Sequence, residues 1–210
     1  MDHPTHLALA LADGPWALAG ALFLAGLAGG FLHCAAMCGP FVMAQTLARM
    51  GEGPRRLAGA ALAPYHLGRF VSYTTLGAVL GGLGGALASV PGLRLAIPIL
   101  LALAGVLFAA QALGKAFGAQ SGALSAWLGR AVRPLLETPG PVRGFALGVA
   151  LGFLPCGFLY AALAAAAGAG GAAAGALAMA GFVLGTVPAL LVVGFAGAMA
   201  AKRWRAAFAA

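Results

Sequence analysis

The chain has three cysteines, at positions 34, 38 and 156. Two of them lie in the run His33-Cys34-Ala35-Ala36-Met37-Cys38-Gly39-Pro40. On a helix, Cys34 and Cys38 are four residues apart and share a face. Met37, three after Cys34, and His33, four before Met37, border that face. Two thiols, a thioether and an imidazole form a soft ligand set suited to Cu(I) or another thiophilic ion. Two thiols close to a third can equally exchange disulfides, provided one is ionised enough to attack. The residue types alone leave both chemistries open. As a redox site the set is Cys34, Cys38 and Cys156, and it needs no cofactor. As a metal site it is Cys34, Cys38 and Cys156 with Met37 and His33. Gly39, Pro40 and Pro155 would shape the backbone in either case. A lone cysteine in an apolar helix is ordinarily a small inert core residue. A histidine at membrane depth is by contrast a functional candidate by default.

The elements that carry these residues follow from composition. Of the 210 residues, 62% are hydrophobic and only 8% are charged, against about 25% charged in soluble domains. So little charge cannot cover a soluble surface, so lipid is the expected solvent. The 34 glycines sit among apolar residues, where small side chains let membrane helices approach closely. Five apolar segments follow, at about 15–48, 67–90, 95–113, 144–167 and 172–200. Residues 114–140 differ: they mix Trp127, Arg130, Arg133 and Glu137 with apolar residues. They are expected to form an amphipathic connector along the cytoplasmic interface. Only Arg94 of the twelve basic residues falls on the opposite side from the rest. The other eleven flank the loops on one face, which the positive-inside rule makes cytoplasmic. The N-terminus is then outside and the C-terminus inside a bacterial inner membrane. This distribution explains the net charge of +8 without nucleic acid as a partner. The N-terminus lacks the basic region of a cleavable signal peptide, and cysteines inside apolar segments exclude a secreted disulfide framework.

A self-match at an offset of 122 residues ties the two cysteine regions together. Gly26-Leu-Ala-Gly-Gly-Phe-Leu-His-Cys34 aligns with Gly148-Val-Ala-Leu-Gly-Phe-Leu-Pro-Cys156, with six of nine positions identical. Glycine, alanine and leucine matches are cheap in this composition, whereas Gly-Phe-Leu-x-Cys is not. Three spans separate the two copies, so they run in opposite directions through the membrane. Inverted repeats with interrupted helices place a transporter's site near the midplane. Repeat one is expected over about 15–113 and repeat two over about 141–200, in a single transmembrane domain. At about 1.5 Å per residue, the first segment would reach roughly 50 Å, against a hydrocarbon core of about 30 Å. It must tilt, bend or break, and Pro40 is the expected break, matched by Pro155 in the second copy.

The remaining polar residues have plainer expectations. Arg69 is expected to snorkel to the cytoplasmic interface, and Ser72, Thr74 and Thr75 to bond helix carbonyls. Thr186 and Pro188 mark an expected break in the fifth span. The four acidic residues, Asp2, Asp13, Glu52 and Glu137, all map to ends or loops, so a carboxylate proton relay is not expected. No phosphate-binding loop or Ser-His-Asp arrangement is present to suggest hydrolysis.

Four motifs together resemble one family. They are His33-Cys34-x-x-Met37-Cys38-Gly39-Pro40, Tyr65-x-x-Gly68-Arg69-x-x-Ser72-Tyr73, Leu154-Pro155-Cys156-Gly157-x-x-Tyr160, and Ala178-Met179-x-x-Phe182-x-x-Gly185-Thr186-x-Pro188. They resemble the UreH-like transmembrane domain family, also labelled sulfite exporter TauE/SafE, which is related to the CcdA and DsbD membrane domains of cytochrome c biogenesis. The resemblance spans about residues 15–200. It implies an all-α polytopic bundle of two inverted three-helix repeats. In the CcdA and DsbD relatives, one cysteine per repeat forms a pair that passes electrons from cytoplasmic thioredoxin to thiol proteins outside. The matching positions here are Cys34 and Cys156. Closer relatives are linked to copper handling and oxidase assembly, which implies a copper chaperone as the alternative partner. The resemblance also admits a non-transporting assembly factor. Two departures stand out. Cys38, with His33 and Met37, is an extra thiol, and only five spans are visible. Residues 201–210 are too short and too basic for a sixth span, which would be absent or supplied otherwise, as by a homo-oligomer.

Overall fold

The computed structural model describes residues 14–48, 62–90, 140–153 and 156–208. Their regular structure is helical throughout. The first segment comprises α1 (Pro15–Gly29), a π-helical turn (Gly30–Cys34) and α2 (Ala35–Ala48). Then come α3 (Ala63–Ala88), α4 (Pro141–Gly152), α5 (Gly157–Ala167) and α6 (Ala172–Phe208). α1, α3 and α4 each begin with a proline in the first two positions, where the missing N–H has no helical partner to lose. The expected segments 15–48, 67–90, 144–167 and 172–200 thus correspond to α1–α2, α3, α4–α5 and α6. The span expected at 95–113 and the connector expected at 114–140 lie outside the described residues.

Among the described residues, three helical stretches are long and apolar enough to cross a membrane: Pro15–Thr46, Ala63–Ala88 and Ala172–Gly197. The pair α4 and α5 makes a fourth if its 74° bend belongs to one broken span. The distribution of side chains fits lipid as solvent. Leu32 is 82% exposed, and Trp16, Leu83 and Val142 also face outward, whereas Arg69, Ser72, Thr186, Gln45 and Thr46 are buried. A soluble protein would reverse that order. The chain is an all-α polytopic membrane protein.

α6 is the central element, packed against α1, α2, α3 and α5, while α3 also packs against α4 and α5. Two close crossings fix the arrangement. A Cβ on Gly26 of α1 would collide with the Phe182 carbonyl of α6, and one on Gly148 of α4 would collide with the Tyr65 carbonyl of α3. Backbones can approach this closely only where the side chain is absent.

Two expected breaks are corrected. Pro40 lies inside α2, which continues through it. The irregularity falls earlier, at the π turn, where the Ala35 N–H bonds the Gly30 carbonyl. Residues 26, 30 and 34 are spaced by four, and that row drifts about 40° per step around an α-helix. A π turn fits an extra residue into one turn, which takes up part of the drift and keeps Gly26, Gly30 and Cys34 buried. Pro188 likewise lies inside an unbroken α6. Membrane helices tolerate internal proline where neighbouring helices and Ser/Thr side chains support the ladder. Here Thr186 Oγ1 donates to the Val183 carbonyl at 2.8 Å. Pro155 lies outside the described residues, between the two helices that meet at 74°.

Candidate functional site around three thiols and a buried arginine

Cys34 ends the π turn and is 6% exposed, in a cluster with Tyr65 of α3, Leu147 and Leu151 of α4, and Leu190 of α6. Cys38, one turn further along, packs against the same cluster. Cys156 is the residue before α5, in extended conformation at φ −106°, ψ 141°. It packs against a second cluster containing Tyr73 of α3, Leu159 of α5 and Phe182 of α6. All three thiols are free. Cys34 and Cys38 thus border one interior cluster and Cys156 the other.

Aromatic rings join the clusters. Phe158 packs against both. Its ring centroid lies 5.9 Å from that of His33 and 4.8 Å from that of Phe182. Phe182 in turn stacks on Tyr73 at 6.0 Å. His33 is thus a ring-packing residue beside Cys34, with its Nε2 buried and unpartnered among the described residues.

Sequence reasoning misplaced Arg69. It does not snorkel: it is 1% exposed. Its guanidinium carbon lies 5.8 Å from the Tyr65 ring centroid and 5.1 Å from that of Tyr73, so it bridges the two clusters. Nη2 donates to the Tyr73 hydroxyl at 3.2 Å and to Thr186 Oγ1 at 3.3 Å. Nε and Nη1 have no partner among the described residues, which include no aspartate or glutamate. Burying a charge is costly unless it is paired and hydrogen-bonded, so this arginine is the least ordinary residue of the bundle interior. The signal was in the spacing: Tyr65, Arg69 and Tyr73 recur every four residues beside Gly68 and Ser72, on one buried helix face. A snorkelling arginine would interrupt that face. Thr186, expected at a helix break, is instead a polar contact of this arginine.

The expected carbonyl bonds of the hydroxyl residues are present. Ser72 Oγ donates to the Gly68 carbonyl at 3.1 Å, and Thr74 and Thr75 donate to Phe70 and Val71 at 2.7 Å each. The metal reading gains no such support. Among the described residues, no three His, Cys, Asp or Glu side chains gather as a metal site would require. Met37 is 41% exposed. Gly39 is buried against Val193 of α6, and Pro40 is exposed.

Residues 21–210 match the family of the cytochrome c biogenesis protein transmembrane region, the DsbD type. The chain belongs to that family. The match falls on the CcdA and DsbD side of the resemblance; the UreH-like and TauE/SafE labels have no counterpart in it. No curated protein and no solved structure gives a significant match. As a member of the cytochrome c biogenesis transmembrane family, the chain holds its cysteines on two separate helical regions, packed on two interior clusters that Phe158 touches in common.

Proposed function

We propose that this protein is a thiol–disulfide electron relay of the bacterial inner membrane, serving cytochrome or oxidase maturation. The observation that carries the proposal is that Cys34 and Cys156, on separate helical regions, pack on neighbouring interior clusters that Phe158 touches in common and Arg69 bridges through Tyr65 and Tyr73. Family membership supports the same chemistry. In each cycle the dithiol Cys34/Cys156 gives two electrons and two protons to a disulfide protein outside, and its own disulfide forms. A cytoplasmic dithiol protein of thioredoxin type then reduces that disulfide and is itself oxidised. Cys38 is a third thiol one turn from Cys34, able to attack the Cys34 sulfur and resolve a mixed disulfide.

Two inverted repeats provide the access to both sides. The packing of α1 on α6 and of α4 on α3 supports this reading. The repeat-equivalent residues Gly26 and Gly148 each sit at a close backbone crossing, one in each pairing. The excess of basic residues on one side of the spans supports an N-terminus outside and a C-terminus in the cytoplasm.

Trapping cysteine redox states in intact cells with a thiol-reactive mass tag tests the relay. We expect a Cys34–Cys156 disulfide that accumulates when the cytoplasmic dithiol supply is removed and disappears when the outer disulfide partner is removed. Cys156 remaining a thiol in every such background would overturn the proposal. Stoichiometric Cu(I) on the purified protein, lost in Cys38→Ala, would replace it with metal handling.

A further inference from the structure

Among the described residues, Phe158 alone packs against both interior clusters. It is the second residue of α5, two past Cys156. The end of its ring rests on Gly29, the last residue of α1, where a Cβ would run into Cζ, Cε1 and Cε2. Gly29 precedes the π turn and Cys34 ends it. His33, inside that turn, flanks the ring at 5.9 Å between centroids, and Phe182 of α6 meets it at 4.8 Å. A notch that only glycine leaves open on one cysteine-bearing segment thus receives a side chain from the other. The repeated string does not carry this contact twice. At its offset of 122 residues, Gly29 corresponds to Leu151 and Phe158 to Ala36. Leu151 is buried in the Cys34 cluster and Ala36 is exposed, so knob and notch are exchanged and only the Cys156 side carries a ring.

We propose that Phe158 is a positioning residue for the thiol pair: seated on Gly29, its ring docks the start of α5 on the π turn and holds Cys156 in place for Cys34. The inference rests on the relay reading and gives that relay its means of alignment. Cys156 precedes α5 in extended conformation, and no side-chain cap fixes that helix start. A ring two residues further on, held by the α1 backbone and the rings of His33 and Phe182, supplies the fixing. Two groups on separate segments react as one pair only while the structure holds them in register, and a small displacement costs much of the rate. Disulfide formation breaks both S–H bonds and joins the two sulfurs. Two electrons and two protons pass to an accepting disulfide, which becomes two thiols. Phe158 takes no part in these bonds; it sets how often the sulfurs meet.

The test is the equilibrium of the full-length protein in lipid nanodiscs with reduced and oxidised glutathione, read as the Cys34–Cys156 peptide in non-reducing digests. This equilibrium gives the effective concentration of the pair. We expect Phe158→Ala, which empties the seat, and Gly29→Ala, which fills the notch, each to lower it about tenfold. Gly29→Ala combined with Phe158→Leu should recover most of the loss seen in Gly29→Ala, because leucine lacks the ring-end atoms that the added methyl would meet. That rescue separates positioning from general damage to packing, which a second substitution would deepen. An unchanged value in both single variants overturns the inference while leaving the relay standing. A rise in either does the same, since the ring would then hold the thiols apart. A combined variant no better than Gly29→Ala also overturns it. No Cys34–Cys156 disulfide in wild type at any glutathione ratio overturns the relay, and the inference with it. If Phe158→Ala does not assemble, Phe158→Leu alone, expected to fall severalfold, takes its place in the comparison.

Discussion

The two cysteine regions share the string Gly-Phe-Leu-x-Cys but differ in backbone. Around Cys34 the helix runs on, adjusted only by a π turn. Around Cys156 it is interrupted, and two helices meet at 74°. The residue before the cysteine is His33 in one copy and Pro155 in the other. Histidine keeps its N–H and can stay in a ladder, whereas proline has none to give and biases the residue before it away from helix. One substitution thus separates a thiol on a continuous, buried helix from a thiol at a helix start. A helix start exposes backbone N–H groups that no earlier carbonyl satisfies. The same reactive atom is therefore carried on two different backbones. In the proposed relay, Cys34 is the fixed partner on the continuous helix, and Cys156 is the partner at a helix start.

Substitutions at five residues probe that contrast, in descending order of effect. Cys34→Ser and Cys156→Ser should each abolish electron delivery, measured as loss of reduced outer partner, and to the same extent. A residual relay in one of them would show that the copies are not paired. His33→Pro would impose the second copy's backbone on the first. It should cost about 3 kcal/mol, seen as a lower unfolding temperature in detergent; an unchanged temperature would mean that the helix at Cys34 tolerates the same break. Cys38→Ser should slow turnover severalfold without abolishing it, followed by the lifetime of the mixed disulfide with the partner. Complete loss there would make Cys38, and not Cys34, the fixed partner. Met37→Leu should change neither turnover nor stability beyond about 0.5 kcal/mol, because this side chain faces outward. A strong effect would return the thioether to the site.

Much of this architecture was legible in the sequence, and what was not has physical causes. Apolar run length located the three long apolar helical stretches and the bent pair α4–α5 because lipid imposes a length on helices. The rare string around Cys34 and Cys156 marked the two site regions. Proline was the poor guide. Pro40 and Pro188 look like breaks when each helix is considered alone, yet neighbouring helices hold both ladders in a helical path. The π turn had no local marker, since it serves the inward row Gly26, Gly30 and Cys34 and not any one residue. Arg69 was misplaced because a basic residue near a helix end ordinarily reaches for the interface. The four-residue recurrence with Tyr65 and Tyr73 carried the contrary signal, and packing against α6 decided the matter through Thr186.

The pairing of the two cysteine regions is tested most directly by mapping disulfides on protein taken from alkylated membranes after brief oxidation, by non-reducing digestion and mass spectrometry. We expect a cross-linked peptide joining Cys34 to Cys156, absent from samples reduced before alkylation. Oxidation that joins only Cys34 to Cys38, or that leaves Cys156 alkylated throughout, would contradict the pairing.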